Sequence, residues 1–195
     1  MAFNINGVDL KKFNVNIGEN THAVKRFDVV KDGITTTVWR DILDIFLNSD
    51  ITWTVELNPA SEDYGLDKET GTFKVGRRTT DKSRTGYCRS SAIDVSDYKT
   101  LIWKGECSSG KGTGALVYGH VWAHLYGGTS EGAKNVFRIT LADTSFGGVN
   151  KTFDESINIA DVDTLYLTME ITFASTNDQG GWQAISTESI IAKNE

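Results

Sequence analysis

The stretch "ALVYGHVWAHLYGG", residues 115–128, gathers the side chains most able to do chemistry. Leu116, Tyr118, His120, Trp122, His124 and Tyr126 occupy alternate positions. Ala115, Val117, Gly119, Val121, Ala123 and Leu125 fill the places between them. In a strand the two sets face opposite ways. The small and aliphatic set suits a core. The other set offers flat rings for the apolar faces of pyranoses, with imidazole and hydroxyl groups for sugar hydroxyls. The same residue types also suit a face covered by loops, by another part of the chain or by a neighbouring subunit. Packing or an interface is the expected use of this row, and a glycan platform is the alternative. Trp182, which follows "STNDQGG", is expected near an exposed loop tip and joins the row as a candidate for glycan or interface contact.

Other chemistries fit less well. In a strand His120 and His124 stand roughly 13 Å apart, at about 3.3 Å per residue. One ion with ligand bonds near ~2 Å cannot hold both, so no metal site is expected. "GECSSGKG", residues 105–112, nearly spells a phosphate loop but ends on Gly112 in place of Ser or Thr. A phosphate loop must also open a helix; strand-like sequence follows here, so the segment reads as a hairpin loop. The chain has three histidines and lacks G-x-S-x-G and H-E-x-x-H. Its 26 acidic residues single out no catalytic pair. An enzyme is therefore not expected.

The elements that position these residues are strands. With 19 glycines, one proline and many Thr, Val, Ile and aromatic residues among 195, the composition favours strands and turns. "ITWTVELN" puts Ile51, Trp53, Val55 and Leu57 on one face, and "VFRITLAD" puts Phe137, Ile139 and Leu141 on one side. A strand–turn–strand unit occurs twice: "IDVSDYKTLIWKGE" from Ile93 and "INIADVDTLYLTME" from Ile157, with five of fourteen positions identical. Leu101, Trp103, Gly105 and Cys107 match Leu165, Leu167, Met169 and Ile171 as inward sets. Two similar half-buried modules are what the two sheets of a sandwich need.

Residues 1–40 read as a small β-meander, with Asp32-Gly33 as a two-residue hairpin signal. So small a sheet is unstable alone and must dock. Residues 41–49 read as a linker or a short helix, and 50–195 as the sandwich. The net charge of −6 argues against nucleic acid, which asks for a positive face. The basic run "KVGRRTTDKSR", from Lys74 to Arg84, reads as a solvated loop. Apolar runs fall well short of the roughly 20 residues a membrane helix needs. "MAFNINGVDLKKF" lacks a signal-peptide pattern. Folding in a cytoplasm is expected, with Cys88 and Cys107 reduced and in the core.

"FLNSDITWTV", a Gly-rich insert, "SSAIDVSDYKTLIWKGE" and "INIADVDTLYLTMEI" together resemble galactose-binding-like jelly-roll domains in minor structural proteins of tailed phages and prophages. "GVDLKKFNVNIGENTHAVKRFDVVKDGITTTVW" is similar to attachment segments that precede such domains. The resemblance implies an all-β jelly roll and a non-enzymatic virion component, such as a head decoration, fibre or tail protein. It would be made in a bacterial host cytoplasm and carried in the virion. Its partners would be other virion proteins and copies of itself. A carbohydrate-binding adhesin for host-surface glycans is the alternative function, and a glycan-active enzyme is the less favoured third. Jelly-roll sugar-binding modules often carry a structural calcium, and the acidic "SEDYGLDKE", residues 61–69, could supply oxygens. It lacks EF-hand spacing, so a solvated loop and no cofactor are expected.

Overall fold

The computed structural model describes residues 3–194 except 6–7, 11–12, 18–19, 25, 32–33, 41, 59–64, 78–82, 112–118, 146–149 and 176–180; before Ile42, and at 58, 77, 83, 111, 119–120, 144–145 and 174–175, only the backbone is described. The N-terminal part holds three separate hairpins. β1 (Phe3–Ile5) pairs with β2 (Val8–Leu10), β3 (Phe13–Ile17) with β4 (Asn20–Val24), and β5 (Arg26–Lys31) with β6 (Ile34–Arg40). Lys31 pairs with Ile34; Asp32-Gly33, expected as the hairpin turn, lies outside the described residues. The expected single meander is instead three two-stranded ladders.

Twelve strands follow: β7 (Ile42–Asp44), β8 (Trp53–Asn58), β9 (Leu66–Asp67), β10 (Thr72–Arg77), β11 (Ser83–Ser90), β12 (Ile93–Asp94), β13 (Thr100–Lys111), β14 (Gly119–Gly128), β15 (Phe137–Ser145), β16 (Asn150–Asn158), β17 (Thr164–Ser175) and β18 (Gly181–Lys193). They form two antiparallel sheets. Sheet I runs β16-β13-β18-β10-β9, and sheet II runs β15-β14-β17-β11-β8. Strands at the same place in the two orders are consecutive in the chain, which is the jelly-roll pattern. β7 extends the line of β10 along β18, and β12 extends the line of β11 along β17.

The expected linker or short helix at 41–49 therefore opens with a strand, and the sandwich begins at Ile42 rather than at residue 50. Leu43 and Ile45 are buried while Ile42 and Leu47 are exposed. The apolar run thus hides a period of two, and Ile45 N donates to Ile190 O at 2.8 Å.

The inward rows are as expected. Leu101, Trp103, Cys107, Leu165, Leu167, Met169 and Ile171 are all 0% exposed. Trp103 Nε1 donates to Thr187 Oγ1 at 3.3 Å, and that hydroxyl donates to Met169 Sδ at 3.8 Å. The "GECSSGKG" segment is not a hairpin loop, because β13 continues through Lys111. Its glycines mark close approaches rather than turns. A Cβ on Gly105 would lie 2.1 Å from Ser186 O, and one on Gly110 would lie 2.6 Å from the Trp182 indole.

The two similar units are related by exchange. Ile93 pairs with Leu165 and Asp94 with Thr164; Leu101 pairs with Ile157 and Thr100 with Asn158. Each unit's first strand thus lies against the other's second. Val95 N donates to Asp163 O at 2.9 Å, and Ile159 N to Lys99 O at 2.8 Å. The turns match as well. Asp94 Oδ1 accepts from Ser96 N at 3.1 Å and Asn158 Oδ1 from Ala160 N at 2.9 Å. Every one of these contacts maps onto its counterpart by a shift of 64 residues, giving a local two-fold at one pole of the sandwich.

Candidate functional site

The outer face of sheet II carries the aromatic row. Cross-strand registers set it out in rungs. Trp122 lies between Asp143 of β15 and Thr172 of β17. His124 lies between Thr140 and Glu170, with Tyr87 and Glu56 beyond Glu170. Tyr126 lies between Arg138 and Thr168, with Arg89 and Thr54 beyond Thr168. β15 bulges between Thr140 and Ala142, so Leu141 has no rung of its own yet remains buried.

The centre of this outer face is covered, while Thr54, Glu56, Arg138, Thr140 and Asp143 at its edges are exposed. Tyr126 is 2% exposed and His124 is 7% exposed, while Trp122 is half-buried. His120 lies in β14 with its side chain outside the description, and Tyr118 lies outside the described residues. The cover is the β14–β15 connection, residues 129–136, a strap that folds back over the sheet. Its Lys134 Nζ bonds Glu170 Oε2 at 3.1 Å and sits 4.6 Å from the Tyr126 ring centroid. Gly132, at φ 71°, brings the strap's backbone close to Arg89. Asn135 Oδ1 accepts from Thr129 N at 3.0 Å and Asn135 Nδ2 donates to Thr129 Oγ1 at 2.9 Å, which tie the strap to itself. The strap is the feature sequence reading missed. The run "TSEGAKN" signals only a loop, and nothing in it marks Lys134 as the partner of a residue 36 positions on.

Electrostatics follow from this burial. Desolvation, with Arg138 and Lys134 adding to it against Glu170 and Asp143, lowers the His124 pKa. Desolvation and then the Glu170 charge raise the Tyr126 and Tyr87 phenols. Arg89 pairs with Glu56 and lies 4.3 Å over the Tyr87 ring. The centre of the face is thus a network of paired charges and capped rings, with Trp122 and Tyr87 half-buried beside it.

Trp182 is the second residue of β18, directly after residues 176–180, which lie outside the description. It is a half-buried member of β18 on the outer face of sheet I, paired in register with Gly76 and Gly110. Its indole rests on Gly110, and Lys74 Nζ sits 4.6 Å over the ring. The structure therefore does not join it to the β14 row, which lies on the other sheet.

Three further expectations concern charge and thiols. The basic run is not one solvated loop: Lys74 belongs to β10, and Arg84 belongs to β11, 3% exposed and donating to Gly76 O at 3.1 Å. In the acidic loop Asp67 holds a turn, with Oδ1 accepting from Glu69 N at 2.9 Å and Oδ2 from Thr70 Oγ1 at 2.8 Å; these bonds, the Thr70 hydroxyl first, lower its pKa. Residues 61–64 of that loop lie outside the description. Among the described residues no group of three His, Cys, Asp or Glu is placed to hold a metal. Cys88 and Cys107 are free and buried, and burial pushes their thiols up to about 12 and about 11.

No protein-family model matches the chain, and no curated protein matches it. Among solved structures, the infectious bursal disease virus Gx strain is similar at TM-score 0.42 and 10% identity, over 92% of this chain and 39% of that one. The VP2 subviral particle of the same virus follows at 0.41 and 12%, over 85% and 37%. A carbohydrate-binding module described by its specific mannan recognition matches at 0.37 and 9%, over 78% and 96%. The chain spans about two fifths of the viral chains it resembles. At these scores the likeness carries no weight for function.

Proposed function

We propose that this chain is a non-enzymatic structural or accessory component of a tailed-phage particle, attached through residues 1–41 and displaying a jelly roll. The observation that supports this reading is the polarity of the sandwich. Ile42 pairs with Lys193, so the N-terminal hairpins join the sandwich at the pole of the two-fold turns. Strands β8, β10, β13, β15 and β17 all end at the opposite pole. A module held at one pole with five strand ends at the other has the geometry of a displayed domain. Two-stranded hairpins that cannot stand alone suit docking on another subunit, whether a further virion protein or a second copy.

A second reading, a carbohydrate-binding adhesin, rests on Trp122, a half-buried residue in register with Asp143 on one side and Thr172 on the other. The covering of Tyr126 and His124 favours the structural reading. Removal of residues 1–41 tests it. Residues 42–195 should melt as a folded domain yet fail to associate with particles that incorporate the full chain. Incorporation of the truncated chain at normal occupancy would overturn the proposal.

A further inference from the structure

Glu170 is a carboxylate on an outer sheet face that is only 9% exposed. Its ion-pair partner, Lys134, comes from the strap, and its side chain is 37% exposed. Directly across from Glu170 on β14 stands His124, at the cross-strand Cβ separation of roughly 5 Å. The His124 Nδ1 is buried with no hydrogen-bond partner. One buried carboxylate thus has two basic neighbours, one engaged and one idle.

We propose that His124 and Lys134 are alternative counter-ions of Glu170, and that protonation of His124 releases the 129–136 strap. The groups facing His124 can be named element by element. β17 contributes Glu170; β15 contributes Thr140, with Arg138 and Asp143 on the flanking rungs; the strap contributes Lys134; β14 itself contributes Trp122, Tyr126 and the backbone position of His120. Beyond Glu170 lie Tyr87, and then Glu56 with Arg89. Arg138 and Lys134 oppose a charge on His124, while Glu170 and Asp143 favour it. At neutral pH the imidazole is uncharged and Lys134 neutralises Glu170.

Once the imidazolium forms, three cations crowd one buried carboxylate. His124 and Arg138 are fixed in strands. Lys134 sits on a flexible stem with water within reach, so it is the cation that leaves. Its departure removes both ties of the strap's tip, to Glu170 and to the Tyr126 ring. What remains is the strap's internal bonding, the Asn135–Thr129 pair and Ala133 N to Ser130 O at 3.1 Å, its base, where Val136 packs on the core and donates from N to Gly127 O at 3.1 Å, and the approach of the Gly132 backbone to Arg89. The tip of the strap then lifts about that base and uncovers the Tyr126 and Arg89 rung. Acid would thereby expose a polar and aromatic face that is shut at neutral pH.

The test follows the intact protein by NMR from about pH 7.5 to about pH 5, reading the His124 ring shifts and amide exchange across 129–136 corrected for intrinsic rates. Wild type should show strap exchange rising several-fold with the His124 titration midpoint. Lys134→Met, a change on the solvent side that leaves the core intact, should show fast strap exchange already at neutral pH. It should also raise the His124 midpoint by roughly one unit, the scale of losing a neighbouring cation. His124→Gln should flatten the strap's pH response. An unmoved His124 midpoint in Lys134→Met would overturn the proposal. So would an equal acid response of the strap in wild type and His124→Gln.

Discussion

Glu106 and Glu170 occupy the same place in the two similar units, 64 residues apart, yet their surroundings differ. On sheet I the first unit's outward row, Ile102, Lys104 and Glu106, is half-buried, and Lys104 reaches Asp154 at 2.6 Å with side chains 41% and 61% exposed. On sheet II the second unit's row, Thr168 and Glu170, is buried beneath the strap. The inward rows, by contrast, are equally buried. The repeat therefore specifies the core and the turns, and leaves the outer faces free to diverge. Only the face that acquired a cover needs a buried ion pair.

Equal inward burial implies equal cost. Leu101→Ala and Leu165→Ala should each lose about 2–5 kcal/mol in chemical unfolding, and by similar amounts. A loss below about 0.5 kcal/mol at either would break the equivalence. The two units differ at Gly105 and Met169. Gly105→Ala should cost about 1–3 kcal/mol because its Cβ meets backbone that cannot yield. A neutral result would show that the neighbouring bulge in β18 can shift.

The outer faces sharpen the contrast. Lys134→Ala leaves Glu170 buried without its partner and should cost about 1–2 kcal/mol. Lys104→Ala removes an exposed pair and should leave the unfolding curve unchanged within error. Equal effects would mean that the strap does not matter to stability. The pH dependence is smaller still. The folded pKa of His124 is lowered from 6.5, with burial as its first cause, so the unfolded chain binds the proton more readily. Stability from this group is complete above pH 6.5 and declines as pH falls below it. His124→Gln should remove that component from a pH series of melting curves.

Alternation made the core legible: Leu101, Trp103, Leu165 and Met169 lie where period two puts them. The exchange of partners between the units was not legible, because similarity names strands without saying which pair. Ile42–Asp44 read as part of a linker or a short helix because five apolar residues among the six at 42–47 mask an alternation that only docking on β18 reveals. Gly110 falls in a segment that reads as a hairpin loop, since a sequence does not distinguish a glycine that bends the chain from one that admits a neighbour. The β14 row was legible as a row. Its covering depends on Lys134 meeting Glu170 across the fold, a contact with no local signature.

The centre of the sheet II outer face, at Tyr126, His124 and Glu170, is packed structure rather than an open platform. Unfolding of Tyr126→Ala, together with its binding to cell-wall glycans, tests it most directly. A ring 2% exposed should cost about 3–5 kcal/mol when removed, as for core aromatics generally, and the loss should not be tied to glycan binding. Unchanged stability together with abolished glycan binding would contradict the account.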